Sequence, residues 1–177
     1  MRDLKLPALY RGHPLLTIEE DFDEAREIRR ASGRIISATS ATSAIDQVIA
    51  EVIADTIFRE VKEHRELVFG SVLGADWCSL AAKRKLLKVA IENFNLLDGP
   101  QKSVLESSLV KVTQYRNAFA HGTLAHSGES QELHYFEGTP RTAKLDDAYF
   151  ETLEKIFLNT WEILNGIQNK LKATAFI

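Results

Sequence analysis

The chain has 177 residues, 45% hydrophobic and 27% charged, with a formal net charge of −3. This balance excludes a disordered polymer and a protein-wide positive field that would draw nucleic acid or a membrane surface. A single cysteine, Cys78, excludes an intramolecular disulfide framework and a multi-cysteine zinc site.

Residues 1–16 hold Pro7, Gly12 and Pro14 without periodicity and read as an extended arm ahead of one domain, 17–177. The arm lacks the apolar core of a signal peptide. No stretch reaches the roughly 18–20 apolar residues of a membrane span, so the expected setting is a cytoplasmic, soluble protein. Thr17-Ile18-Glu19-Glu20 has the form of a capping box and opens a helix that is acidic early and carries Arg26, Arg29 and Arg30 later. Gly33 is expected to end or bend it. A second helix is expected over 35–63, where Ile45, Val48, Ile49, Val52, Ile53 and Ile57 follow helical spacing. Its first half is crowded with Ala and Ser, which suits either a close dimer-facing contact or a thin-sided core helix.

Residues 67–76, with Gly70 and Gly74, read as a loop or a short distorted helix. Asp76 or Ser79 can cap the next helix, whose stripe is Leu80, Leu86, Leu87, Ala90, Ile91 and Phe94. Asp98-Gly99-Pro100 marks a turn, and a further helix runs from about Gln101 to Ala120 with Gly122 as its expected left-handed terminator. Leu133, Tyr135 and Lys144-Leu145 flank Gly138-Thr139-Pro140 and predict a small β-hairpin near 131–145. The last helix starts at Asp146-Asp147 and presents Phe150, Leu153, Ile156, Phe157, Trp161 and Leu164 to the core. Trp77 and Trp161 are both expected as core aromatics. The fold class is therefore all-α, a bundle of about five helices with a small β insertion.

One stretch concentrates chemistry: Tyr115-Arg116-Asn117-Ala118-Phe119-Ala120-His121-Gly122. Asn117 and His121 are four apart and share a helix face, while Arg116 lies about 140° around the axis from His121. A guanidinium is a permanently charged planar fork suited to phosphate oxygens. An imidazole titrates near neutrality, and a carboxamide both donates and accepts. No phosphate-binding Gly loop, nucleophile elbow or dinucleotide fingerprint is present.

Arg116-Asn117 followed by Ala120-His121-Gly122 at the end of a bundle helix resembles the R-x4-H motif of the HEPN superfamily (higher eukaryotes and prokaryotes nucleotide-binding). The segment from Leu67-Val68-Phe69-Gly70 through Lys83-Arg84-Lys85-Leu86-Leu87 is similar to the branch related to the mannitol operon repressor. The resemblance implies a helical bundle that forms homodimers, with two motif helices across a shared cleft. It further implies metal-independent RNA cleavage to a cyclic phosphate in a toxin, stress or phage-defence effector. His121 would then be general acid or base, Arg116 the stabiliser of the phosphorane and Asn117 the group that orients them. The same resemblance also covers non-catalytic dimeric regulators and protein-interaction modules. A cognate antitoxin or regulatory protein is the implied partner, and no cofactor or metal is expected. Some members carry a tyrosine two residues after the histidine as an acceptor of nucleotide transfer; this chain has Thr123 there.

Charge adds one expectation. Residues 76–126 carry seven Lys and Arg against four carboxylates, and Lys83, Arg84 and Lys88 are candidate RNA-backbone contacts, with Tyr115 a candidate stacking platform. The alternative for the cations is a solvated helix face, and for Tyr115 ordinary packing. His126 and His134 match no zinc-ligand spacing relative to His121.

Overall fold

The computed structural model describes residues 3–4, 22–58, 61–75, 77–127 and 130–174. In chain order the elements are β1 (Asp3–Leu4), α1 (Phe22–Ile57), α2 (Lys62–Val68) continued by a π turn (Phe69–Leu73), α3 (Leu80–Phe94), α4 (Gly99–His121), β2 (Thr123–Ser127), β3 (Ser130–Glu137), β4 (Thr139–Lys144) and α5 (Asp147–Thr174). The class is the expected one: five α-helices with a small antiparallel sheet. The expected capping box at 17–20 and most of the expected arm lie outside the described residues. Among those residues no helix is long and apolar enough to cross a membrane.

Two of the expected helices are one. α1 continues through Gly33, where the sequence suggested a stop or bend. A glycine inside a helix costs about 1 kcal/mol, and burial of Ala31, Ile35 and Ala38 on one side of the same turns outweighs it. The small polar residues that follow satisfy their hydroxyls within the helix, Ser37 donating to the Gly33 carbonyl at 3.0 Å and Thr39 to that of Ile35 at 2.9 Å. The helix stops at Ile57 rather than near residue 63, and α2 begins afresh.

The residues group into two compact units, one drawn from 1–40 and 114–154, the other from 41–113 and 155–177. In the first unit the sheet order is β1-β2-β3-β4, all antiparallel, so the expected hairpin is β3-β4 within a larger sheet. Gly138 turns that hairpin with φ +69°, a conformation glycine adopts without strain. Leu124 and Ala125 of β2 and Leu133 of β3 are buried together with Ala118, Phe119, Leu145, Phe150 and Leu153.

In the second unit the core is aliphatic: Ile45, Ile49, Val52 and Ile53 of α1, Leu87 and Ile91 of α3, Leu105, Leu109 and Val112 of α4, and Leu164 and Ile167 of α5 are buried. Each large side chain of this kind contributes about 1.5–3 kcal/mol by leaving water. Polar ties fix which helices meet. Gln168 Nε2 donates to Glu51 Oε2 at 2.7 Å, and Lys83 Nζ reaches Asp46 Oδ2 at 2.5 Å. α3 is capped by Ser79, whose hydroxyl accepts from Ala82 N–H, and ends at Asn95 in the left-handed region.

Both tryptophan expectations are corrected. Trp77 is 70% exposed, in a turn where the neighbouring Cys78 is the buried residue. Trp161 is 38% exposed because the buried face of α5 runs through Thr160, whose hydroxyl is satisfied by the Ile156 carbonyl at 2.7 Å.

Candidate functional site

The C-terminal turns of α4 carry the polar constellation. The helix is started by Asp98, whose Oδ1 accepts from Gln101 N–H at 2.8 Å, with Pro100 in the first turn where a missing N–H costs nothing. At its other end Ala118 and Phe119 are buried, whereas Arg116, Asn117, Ala120 and His121 are exposed. The anchor and the polar face thus belong to the same two turns.

Arg116 Nη1 donates to Asn117 Oδ1 at 3.2 Å. Among the described residues no carboxylate pairs with this guanidinium. The amide orients the fork without neutralising it. His121 lies one turn beyond Asn117 on the same side of the helix, and its ring is exposed. The structure therefore brings Arg116 and Asn117 into contact and places His121 beside them along the helix, with no hydrogen bond from the imidazole to either.

An aromatic set holds this helix end in place. The Tyr115 ring stacks near Phe119 at 6.3 Å and meets Tyr149 edge-on at 5.8 Å; Tyr149 in turn lies edge-on to Phe150 at 5.4 Å. The Arg34 guanidinium sits 4.0 Å over the Phe150 ring and is anchored 2.6 Å from Asp147 Oδ1. Burial pushes the phenols of Tyr115 and Tyr149 above their ordinary range, with a further upward push on Tyr149 from Tyr115 and Tyr135. Tyr115 is half-buried packing in this arrangement, with part of its ring accessible.

Gly122 has a different role from the one its position suggested. Its backbone is not left-handed, since Gly138 is the positive-φ glycine among those described. A Cβ there would collide with the Ala118 carbonyl oxygen and come 2.8 Å from Leu133 Cδ1 and 3.2 Å from the His134 carbonyl oxygen. The glycine lets the strand leave the helix tightly packed, which places His121 at the rim of the sheet-bearing unit. Sequence reasoning missed this close approach, and also missed Tyr149, Arg34 and Asp147 as the support behind the motif. The acidic pair Asp146-Asp147 was the available signal for the last of these. Asp146 caps α5 through Tyr149 N–H at 2.9 Å, leaving Asp147 for the arginines.

The basic candidates belong to the other unit. Lys83 is 5% exposed and ion-paired with Asp46, so it is unavailable to an RNA backbone; its position on α3 points inward to α1 rather than to solvent. Lys88 is exposed and reaches Glu106 Oε1 at 3.2 Å, and Arg84 is half-buried. His134 lies 3.2 Å from Glu132 Oε2, while the His126 side chain is outside the described residues. Among the described residues no group of three or more His, Cys, Asp and Glu side chains gathers in a way that would hold a metal ion.

Comparison with known proteins finds no matching family model, no matching curated protein and no matching solved structure.

Proposed function

We propose that the chain is a HEPN-like endoribonuclease that cuts RNA without a metal ion, using Arg116, Asn117 and His121 in a homodimer. The observation that carries this reading is an exposed guanidinium, oriented by Asn117 and facing no carboxylate among the described residues, with an exposed imidazole one turn further along the helix. A buried or carboxylate-locked arginine would have favoured a purely structural role.

In the proposed reaction His121 accepts the proton of a ribose 2′-hydroxyl. The 2′-oxygen forms a bond to phosphorus, the bond from phosphorus to the 5′-oxygen breaks, and the imidazolium of a second copy's His121 protonates the departing 5′-oxygen. The products are a 2′,3′-cyclic phosphate and a 5′-hydroxyl. Arg116 stabilises the charge that grows on the non-bridging oxygens, a task for which its fork is preorganised. Asn117 limits the rotamers of Arg116 and thereby the entropy lost when phosphate arrives.

The test incubates purified protein with mixed RNA in EDTA beside His121→Ala and Arg116→Ala. Wild type is expected to leave cyclic-phosphate ends, and His121→Ala to lose about 100-fold or more in rate. Equal cleavage by all three proteins would trace the activity to a contaminant. Absence of cleavage across several RNAs would overturn the catalytic reading in favour of a dimeric regulatory module.

A further inference from the structure

In the second unit, α3 and α4 share a face whose cations the proposed chemistry does not use. Both helices and the turn between them are described without a gap. A groove of about 210 Å³ lies between them. Its floor is aliphatic, with Leu87 and Ile91 from α3 and Leu105 and Leu109 from α4, and all four are buried. Arg84 and Lys88 stand four apart on the α3 wall with Lys85 beside them, and Glu106 and Val110 stand four apart on the α4 wall.

The described lining thus carries three cations against one carboxylate. Lys88 offsets Glu106, its Nζ lying 3.2 Å from Oε1. Further along the same two helices Lys102 and Glu92 pair with each other, so they leave the balance unchanged. Arg84, half-buried, and Lys85, exposed, have no ion pair among the described residues. They carry the groove's positive excess in a chain whose own net charge is −3.

Size and lining narrow the occupant. The groove is smaller than the roughly 300–1,000 Å³ of small-molecule sites, and it suits inserted side chains better than a whole cofactor. Its described lining has no aromatic side chain, so an unpaired base would find no stacking platform there. Val110 is exposed on the lip beside the buried floor, and an aliphatic group set against it would remove apolar surface from water. An aliphatic trough with a cationic wall is complementary to a helix with leucine-like residues on one side and carboxylates flanking them.

We infer that the α3–α4 groove docks an acidic amphipathic helix of a partner protein, its aliphatic side chains against Val110 and the floor and its carboxylates at Arg84 and Lys85. These residues are separate from Arg116, Asn117 and His121, so the assignment stands whether or not the chain cleaves RNA.

The experiment titrates the full chain into a fluorescent peptide of about sixteen residues, long enough to hold a helix, with leucine and glutamate at helical spacing. Anisotropy is read at neutral pH in about 0.1 M salt, beside the same peptide with lysine for glutamate and a labelled oligouridylate. The acidic peptide is expected to bind one per chain, at least about tenfold more tightly than either control. The double variant Arg84→Gln/Lys85→Gln is expected to weaken it about tenfold or more, and Val110→Asp by a similar factor. All three positions lie toward solvent, and unchanged far-ultraviolet dichroism and Tm are expected to show that both variants fold. Lys155→Gln, an exposed cation on α5, is expected to leave the affinity as it was. No binding of the acidic peptide, equal binding of the lysine peptide, or undiminished affinity in both groove variants would each overturn the assignment. So would tighter binding of the oligouridylate lost in the double variant, which gives the face to nucleic acid, or a dimer of the free chain that the double variant dissociates, which gives it to a second copy.

Discussion

Lys83 on α3 and Arg116 near the end of α4 are both long cations on amphipathic helices, and their environments are opposite. Lys83 is sunk into the second unit against Asp46, whose other carboxylate oxygen is buried without a hydrogen-bond partner among the described residues. Arg116 is exposed and touches only a neutral amide among those residues. The first charge is a structural component because removing it strands a carboxylate. The second carries no comparable penalty, and an exposed, preoriented cation is what a phosphate-binding role requires. A basic residue's use is set by the group opposite it, which for Lys83 lies 37 positions away in the chain.

Five measurements sharpen or break this contrast. Gly122→Ala is expected to have the largest effect, a loss of about 2–4 kcal/mol in denaturant unfolding, because the new methyl meets a backbone oxygen and the Leu133 side chain at once. It also displaces His121 without altering any charge, so the proposed cleavage should fall with stability. Lys83→Ala is expected to cost about 2–3 kcal/mol, at or below the low end for a broken buried pair since Asp46 is partly exposed. Adding Asp46→Asn should recover a good part of that loss. Arg116→Ala should change stability by less than about 0.5 kcal/mol; a loss equal to that of Lys83→Ala would break the comparison.

Lys88→Ala should cost only about 0.2–1 kcal/mol, because Lys88 itself is exposed and only the Glu106 oxygen it reaches is covered. Unfolding in 1 M salt should erase most of that difference while leaving the Lys83 effect in place. The smallest effect is expected at Asp147. The Arg34 hydrogen bond and the nearby Arg30 charge hold its carboxyl below the usual range. A depressed folded-state pKa adds stability above the unfolded value near 3.8, and that stability disappears as the pH falls through the lowered value. The Tm gap between wild type and Asp147→Asn should therefore be constant from neutral pH to about pH 5 and close progressively below pH 4.

Local signals in the chain read well. Ser79 as a cap, Asp98 at the start of α4, the β3-β4 turn at Gly138 and the acidic opening of α5 all follow from chemistry within a few residues. The discrepancies share a long-range cause. Gly33 lies inside a helix because packing of Ala31, Ile35 and Ala38 outweighs its intrinsic cost. Thr160 takes the inward place expected of Trp161, a rotation of one residue that spacing alone does not fix when the small residue can satisfy its hydroxyl within the helix. At the motif, spacing predicted that Asn117 and His121 share a face. That no carboxylate among the described residues pairs with Arg116, and that the backbone crowds Gly122, depend on segments remote in sequence, and no local pattern encodes them.

The sheet's outer margin has a consequence for behaviour in concentrated solution. β4 is the last strand in the order, and its exposed residues include Pro140, Arg141 and Lys144. No described strand pairs with its outer side, and an open margin of this kind can template the addition of foreign strands. Proline removes an N–H from the row, and the two cations repel a like copy. Substituting valine for both Pro140 and Arg141 would restore the missing donor and half of the apolar appeal, turning a terminus of hydrogen bonding into a seed for fibrillar stacking.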